Sequence, residues 1–251
     1  MRIKGAFRVW QRNFTVYTKL YKSSIVLNFV EPILYLAAFG LGLGGFVSEI
    51  KGQPYVNFIA PGMIASSAVF AAVYECTYGT YVRMTFQKTF DGILATPIGV
   101  DEITAAEIAW GASKSVLYGT IIMIVISAFG LVKSPLVVVA IPAVFVGGLL
   151  VAEICVVFVS VVPGIDSFNY FYTLFLTPML LFSGIFFPLD GMPAFVSIAA
   201  GFTPLYHLVA VCRACAAGDL AAIPWSLAYL FGVAALLAPV PFVLMRRRMV
   251  L

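Results

Sequence analysis

Four ionisable residues stand where charge is costly. Glu31, Glu75, Lys114 and Glu153 each interrupt a long apolar run, and Arg83 closes one of those runs. Charged groups in such surroundings face protein or water rather than hydrocarbon. Three chemistries suit them: ion pairs or snorkelling side chains that brace helices, a polar vestibule for a hydrophilic headgroup, or a proton relay through the carboxylates. Aromatic residues accompany the charges. Tyr74, Tyr78 and Tyr81 repeat at spacings of four and three, Tyr35 and Phe39 follow Glu31, and Phe168, Tyr170, Phe171, Tyr172 and Phe175 cluster later. Such rings form interface belts or pack helices. Their flat apolar faces also suit sugar rings, which makes Tyr35, Phe39, Tyr74, Tyr78, Tyr81, Phe171 and Phe175 candidates for a substrate path.

Other chemistry is not legible. There is no G-x-x-x-x-G-K-[ST] loop to cradle a nucleotide, no H-E-x-x-H and a single histidine, so neither a P-loop nor a metal site is expected. No Ser-His-acid arrangement, other catalytic constellation or nucleic-acid motif is visible. Cys76, Cys155, Cys212 and Cys215 lie in apolar context and read as packing residues; the C-x-x-C at 212–215 lacks the second pair that zinc would need. Gly40-x-Gly42-x-Gly44 mimics a dinucleotide fingerprint but follows no strand, so Gly40-x-x-x-Gly44 reads as close helix packing.

The elements that must position these residues are membrane helices. Of 251 residues 62% are apolar and 10% charged, and the mean hydropathy is +1.04. A soluble domain of this size cannot hide that much apolar surface. Six stretches reach the roughly 20 residues that cross a hydrocarbon core: Ile25–Val47, Asn57–Val82, Glu107–Val132, Leu136–Val162, Phe168–Pro188 and Trp225–Met245. Nine of the 15 Lys and Arg residues lie outside the first and last of these, which places both termini in the cytoplasm and requires an even span count. Counting about 1.5 Å per residue puts Glu31, Glu75, Lys114 and Glu153 in the inner third of the bilayer. Within 189–224, Pro204 splits an apolar stretch into helices expected over Ala194–Phe202 and Leu205–Ala217, a re-entrant outer hairpin shielded by the other spans.

Two further helices are expected. Ile3, Phe7, Trp10, Phe14, Tyr17 and Tyr21 form one apolar face among basic residues over 2–22, an interface helix too long and amphipathic for a signal peptide; the alternative is a soluble arm that binds a partner helix. Between spans two and three, Phe86, Phe90, Ile93 and Leu94 share the face of a short helix that Thr96-Pro97 ends, and Asp101 is placed to cap the next helix. Such a knob needs the membrane surface or a groove in another protein.

These residues resemble a known family. Thr89-Phe-Asp-Gly-Ile-Leu-Ala-Thr-Pro97 resembles the segment after the second span of ABC-2-type permeases. Ser183-Gly-Ile-Phe-Phe-Pro-Leu-Asp-Gly-Met-Pro193, with Pro204-Leu-Tyr-His207 and Arg213, resembles their fifth-span and outer-hairpin signature. Glu107-Ile-Ala-Trp-Gly-Ala-Ser-Lys114 looks most like the nodulation-factor exporter branch, whose permeases export lipo-chitooligosaccharides. The likeness covers nearly the whole chain. It implies one all-α permease domain over 1–251 that works as a homodimer in the bacterial inner membrane. It implies two copies of a separate subunit that binds ATP and Mg, with no cofactor in this chain. Residues 84–96 would be the coupling helix, with Phe86, Phe90, Asp91, Ile93, Leu94, Thr96 and Pro97 at the contact. The family's loop often has Glu where Asp91 stands. Pro188, Asp190, Pro193, Pro204, His207 and Arg213 would shape the outer hairpin. The expected function is export of a lipid-linked or amphiphilic glycan, or a similar hydrophobic substrate, from the cytoplasmic side. A proton-coupled secondary transporter is the alternative, although no inverted repeat is visible. A membrane-embedded lipid enzyme would need a nucleophile or metal site.

Overall fold

The computed structural model describes residues 2–38, 42, 49–50, 52–132, 134–219, 221 and 223–250, with the side chains of 20–29, 31 and 32 outside that description. The chain is built from helices. α1 (Ile3–Ala37) is one helix; residues 6–31 contain neither glycine nor proline, and the helix continues past Pro32. The expected interface helix over 2–22 and the start of the first span are therefore one element rather than two. Its 35 residues extend about 52 Å at 1.5 Å per residue. The remainder of that span, with the Gly40-x-x-x-Gly44 packing motif and Phe39, lies outside the described residues, and so does the side chain of Glu31. A two-residue antiparallel pair, β1 (Glu49–Ile50) with β2 (Gln53–Pro54), precedes α2; the hydropathy pattern gave no sign of it.

α2 (Tyr55–Tyr74) continues as one helical rod to Phe86, through wide i→i+5 turns over Glu75–Gly79 and Val82–Phe86. Lys88, with φ 51°, then turns the chain. α3 (Thr89–Leu94) is thus shorter than the helix expected over 84–96, and Met84 and Phe86 belong to the preceding rod. α4 (Val100–Ala128) starts seven residues before the span boundary read from hydropathy at Glu107. Asp101 does not cap it. Glu102 reaches back instead, accepting from the Gly99 N–H at 2.9 Å, while Asp101 binds Arg246. α5 (Ala140–Val161) is preceded by a tight turn from Pro135. α6 (Phe168–Phe171) and α7 (Thr177–Leu181) are joined by another wide turn.

The helix expected over Phe168–Pro188 therefore ends at Leu181. Its 14 residues rise only about 21 Å, and Ser183 bonds back to the Leu180 carbonyl as the chain turns away. α8 (Ala194–Gly201) and α9 (Pro204–Ala217) meet at 89°. Thr203 accepts from the Tyr206 N–H and Pro204 occupies the first turn, where a missing N–H is harmless. α10 (Ile223–Leu237) and α11 (Pro239–Val250) form the last rod, interrupted where Pro239 supplies no N–H. Among the described residues four rods are long and apolar enough to cross a membrane: Tyr55–Phe86, Val100–Ala128, Pro135–Val161 and Ile223–Val250. The bent α8–α9 pair would make a fifth.

α2, α4 and α5 form the centre; α1 lies on α4, α9 on α2 and α5, and the α10–α11 rod on α5. Small residues let the central helices approach. A Cβ on Gly148 would strike Ser115, whose hydroxyl donates to the Ala68 carbonyl on α2 at 2.7 Å. Membrane helices, which gain nothing from burying apolar surface against each other in lipid, associate by such close packing and interhelical hydrogen bonds. The outer surface stays apolar, with Phe129, Leu174, Trp225, Phe231 and Leu236 all exposed.

The two chain ends meet at the first turn of α4. The Arg2 N–H donates to Glu102, Arg246 clasps Asp101 with two N–H groups, and Arg248 donates to the Val162 carbonyl at the foot of α5. Both described termini therefore lie at one end of the bundle.

Candidate functional site

The wide turns of α2 create the site. In a regular helix, residues eight apart are about 80° out of line. A turn closed by i→i+5 bonds holds more residues, so Glu75, Gly79 and Arg83 fall nearly in one column. Such turns recur at functional positions. Arg83 Nη1 donates to Glu75 Oε1 at 2.6 Å. Its other terminal nitrogen pairs with Glu107 of α4. Lys114, two turns beyond Glu107, pairs with Glu75 Oε2 at 2.9 Å. Glu107 also accepts from Thr80 Oγ1 at 2.7 Å and from Asn13 Nδ2 of α1 at 2.9 Å. Lys114 Nζ sits 4.6 Å from the centre of the Tyr17 ring. Two cations and two carboxylates thus tie three helices together. A buried ion pair is tolerable only when its remaining hydrogen-bonding positions are also filled, as they are at Glu107.

The sequence-level cluster is partly assembled. Glu75, Arg83 and Lys114 come together, but Glu153 does not join them. It is 4% exposed, and it lines a separate apolar hollow against Phe231, Ala234 and Ala238 of the last rod, with Oε2 unpartnered. Glu107 and Asn13 were missed. Glu107 was read as a span boundary, yet its spacing of seven from Lys114 places both on one helix face and was a usable signal. Nothing in the sequence marks Asn13. Beside the network, a cavity of about 360 Å³ opens between α1, α2 and α4; Arg12, Tyr17, Tyr78, Gln87, Trp110 and Lys114 are among its lining. Burial and then the neighbouring Arg83 cation lower the Arg12 pKa, against the pull of Glu107.

Gly79 leaves the room this column needs. A Cβ there would stand 3.0 Å from Glu75 Oε1 and 3.3 Å from Arg83 Nη1. Gly79→Ala is expected to lower stability by about 1–3 kcal/mol, the usual cost of overpacking, although Ala is the better helix former by about 0.8–1 kcal/mol. Thermal unfolding in detergent measures this, and a stabilised variant would show that the column is not tight.

The aromatic candidates separate. Tyr74 and Tyr78 are 39% and 36% exposed and stack toward Tyr172, at 5.7 Å each. Tyr81 is buried edge-on against Phe168, so the three tyrosines do not share one open face; the wide turns break the 3.6-residue register. Phe171 stacks between Phe158 and Phe175, at 4.5 and 5.1 Å. Tyr35 lies 6.1 Å from Phe186, at the other end of the bundle.

The knob also differs from its expected face. Phe90 is 1% exposed and belongs to the core, with Ile93 and Leu94 half-buried beside it. Phe86 is 62% exposed, and Asp91, Thr96 and Pro97 are exposed as well. Asp91 faces Lys88 at 3.8 Å, and Thr96 Oγ1 closes the helix end on the Ile93 carbonyl.

At the opposite end, Arg213 donates to the Gly184 carbonyl at 2.9 Å and stacks over Phe58 at 4.1 Å. With Asp190 and Tyr206 it lines a second cavity of about 450 Å³, where Pro188 turns the chain. Pro193 precedes α8, and Pro204 is buried at the start of α9. His207 Nε2 lies 2.8 Å from the Gly201 carbonyl, and its ring stacks on Tyr229 at 3.8 Å, fastening α9 to α10.

Known proteins are similar to this chain in sequence. A family model described as ABC-2 type transporter matches residues 6–215. Nodulation protein J of Rhizobium leguminosarum bv. viciae is 36% identical over 245 residues, 96% of this chain and 93% of the relative. Nodulation protein J of Sinorhizobium fredii NGR234 is 37% identical over 205 residues, covering 82% and 78%. The inner membrane transport permease YadH of Escherichia coli K12 is 22% identical over 207 residues, covering 80% and 78%.

Proposed function

The chain belongs to the ABC-2 type transporter family, and from that premise we propose that it is the membrane subunit of an ATP-driven exporter. It carries an amphiphilic or lipid-linked glycan outward, as a homodimer served by two copies of a separate ATP-binding subunit. It crosses the bacterial inner membrane six times with both termini cytoplasmic. Residues 189–224 form the outer re-entrant hairpin, and the exposed side of the 84–96 segment seats on the ATPase.

The observation that carries this reading is the family match across residues 6–215, which takes in the segment around α3. The geometry supports it further. Both chain ends meet at the foot of α4, rich in arginine, as the positive-inside rule requires of one cytoplasmic face. The ion network joins the end of α2, next to α3, to α1 and α4. A push on α3 thereby reaches three helices.

Inverted vesicles containing the permease and its partner test the mechanism, with a fluorescent acylated chito-oligosaccharide as probe. Uptake is expected to require ATP and to persist when an ionophore collapses the proton gradient. Uptake that stops with the gradient while ATP is plentiful would favour the proton-coupled alternative and overturn this one.

A further inference from the structure

We propose that the cavity between α1, α2 and α4 binds an anionic sugar headgroup. This rests on the exporter reading and names a chemistry for its cargo. The cavity, of about 360 Å³, lies in the range of ligand sites, about 300–1,000 Å³.

Among the described residues its charge is unbalanced. The two carboxylates at or behind its wall are already engaged: Glu75 holds Arg83 and Lys114, and Glu107 holds Arg83, Thr80 and Asn13. Three cations face them. Arg12 spends a hydrogen bond on the neutral amide oxygen of Asn13, at 3.0 Å, and so adds a positive charge that neither carboxylate matches. Arg83 also lines the cavity, with its unpartnered Nε buried behind the surface. An anionic oxygen is the group that such donors recognise. The rest of the wall is aromatic and amide. Tyr17 and Tyr78 are partly exposed there, Trp110 lies buried behind them, and Gln87 is exposed at the lining. A ring with apolar faces and hydroxyl edges, bearing a sulfate, phosphate or carboxylate, satisfies both halves of this lining.

The full chain in phosphatidylcholine nanodiscs, titrated with glucose 6-sulfate, glucose and inorganic sulfate, tests this through tryptophan fluorescence, since Trp110 lines the cavity. Glucose 6-sulfate is expected to saturate at a concentration at least tenfold lower than either of the others. Arg12→Gln should raise its half-saturation about tenfold, and Arg12→Lys should restore most of the loss. Gln87→Glu, at an exposed position where a side-chain oxygen can still accept from Thr89 Oγ1, should weaken binding at least threefold through charge repulsion. Absence of saturation, equal half-saturation for glucose or sulfate alone, or indifference to Gln87→Glu would overturn the proposal. A second arm replaces part of the lipid with phosphatidylglycerol. Competitive loss of glucose 6-sulfate there would assign the cavity to a lipid headgroup and overturn the sugar site; unchanged binding supports it. No ATP or partner is used, so failure here leaves the exporter reading standing. Intact binding without ATP-driven uptake would instead overturn that reading alone.

Discussion

Replacing Arg83 with Met is expected to cost the fold about 3–5 kcal/mol, the usual penalty for breaking a buried ion pair from one side. Two carboxylates depend on this one guanidinium: Glu75 through Nη1 and Glu107 through Nη2. Without it Glu75 retains Lys114, but Glu107 keeps only the neutral donors of Thr80 and Asn13. For a chain of this size the loss corresponds to a fall in Tm of roughly 6–20 °C. The double variant Arg83→Met/Glu107→Gln removes the stranded charge while leaving an amide that can still bond Thr80 and Asn13. It should recover more than half of the loss. Thermal unfolding of the four proteins of this cycle in one detergent decides it. Equal Tm values for wild type and Arg83→Met would mean that water already solvates the network, and that it braces nothing.

The knob gives the second large effect, and it divides two residues that sequence reasoning had grouped. Phe90 is buried within the chain, so Phe90→Ala should destabilise the permease itself by about 3–5 kcal/mol, as large-to-small core changes do. Phe86 is exposed beside it. Phe86→Asp should leave the unfolding temperature within a degree or two and weaken assembly with the ATPase by about 2 kcal/mol or more, roughly thirtyfold in affinity. Unfolding curves and pull-down of the partner separate the outcomes. Normal assembly of a folded Phe86→Asp variant would remove this residue from the contact.

The division shows where sequence reading stops. Apolar runs and basic ends marked the rods α2, α4, α5 and α10–α11 to within several residues, because length and hydropathy are what the bilayer selects. Pro204 marked the bend between α8 and α9, because its missing N–H is a local, chemical fact. The intramembrane charges were visible as anomalies, but their pairing was not. Periodicity assumes 3.6 residues per turn, and the i→i+5 turns at Glu75–Gly79 and Val82–Phe86 violate that assumption. They bring Arg83 under Glu75 and turn Tyr81 inward. Glu153 was expected at the same depth as the others but lines a hollow against the last rod, and an expected depth does not distinguish facings. Phe90 shows the same limit, since an amphipathic helix of six residues hides its apolar face against its own chain or a partner, and spacing does not say which. Glu102 displaced Asp101 as the helix cap because α4 begins at Val100, a boundary that hydropathy blurs.

The most direct measurement is the intact mass of the complex recovered through an affinity tag on this chain, in mild detergent, from cells that express its genomic neighbours. The expected result is an assembly of two copies of this chain with two copies of an ATP-binding subunit, releasing ATP hydrolysis products when Mg and ATP are supplied. A stable, transport-competent species that contains this chain and no ATP-binding subunit would contradict the exporter assignment.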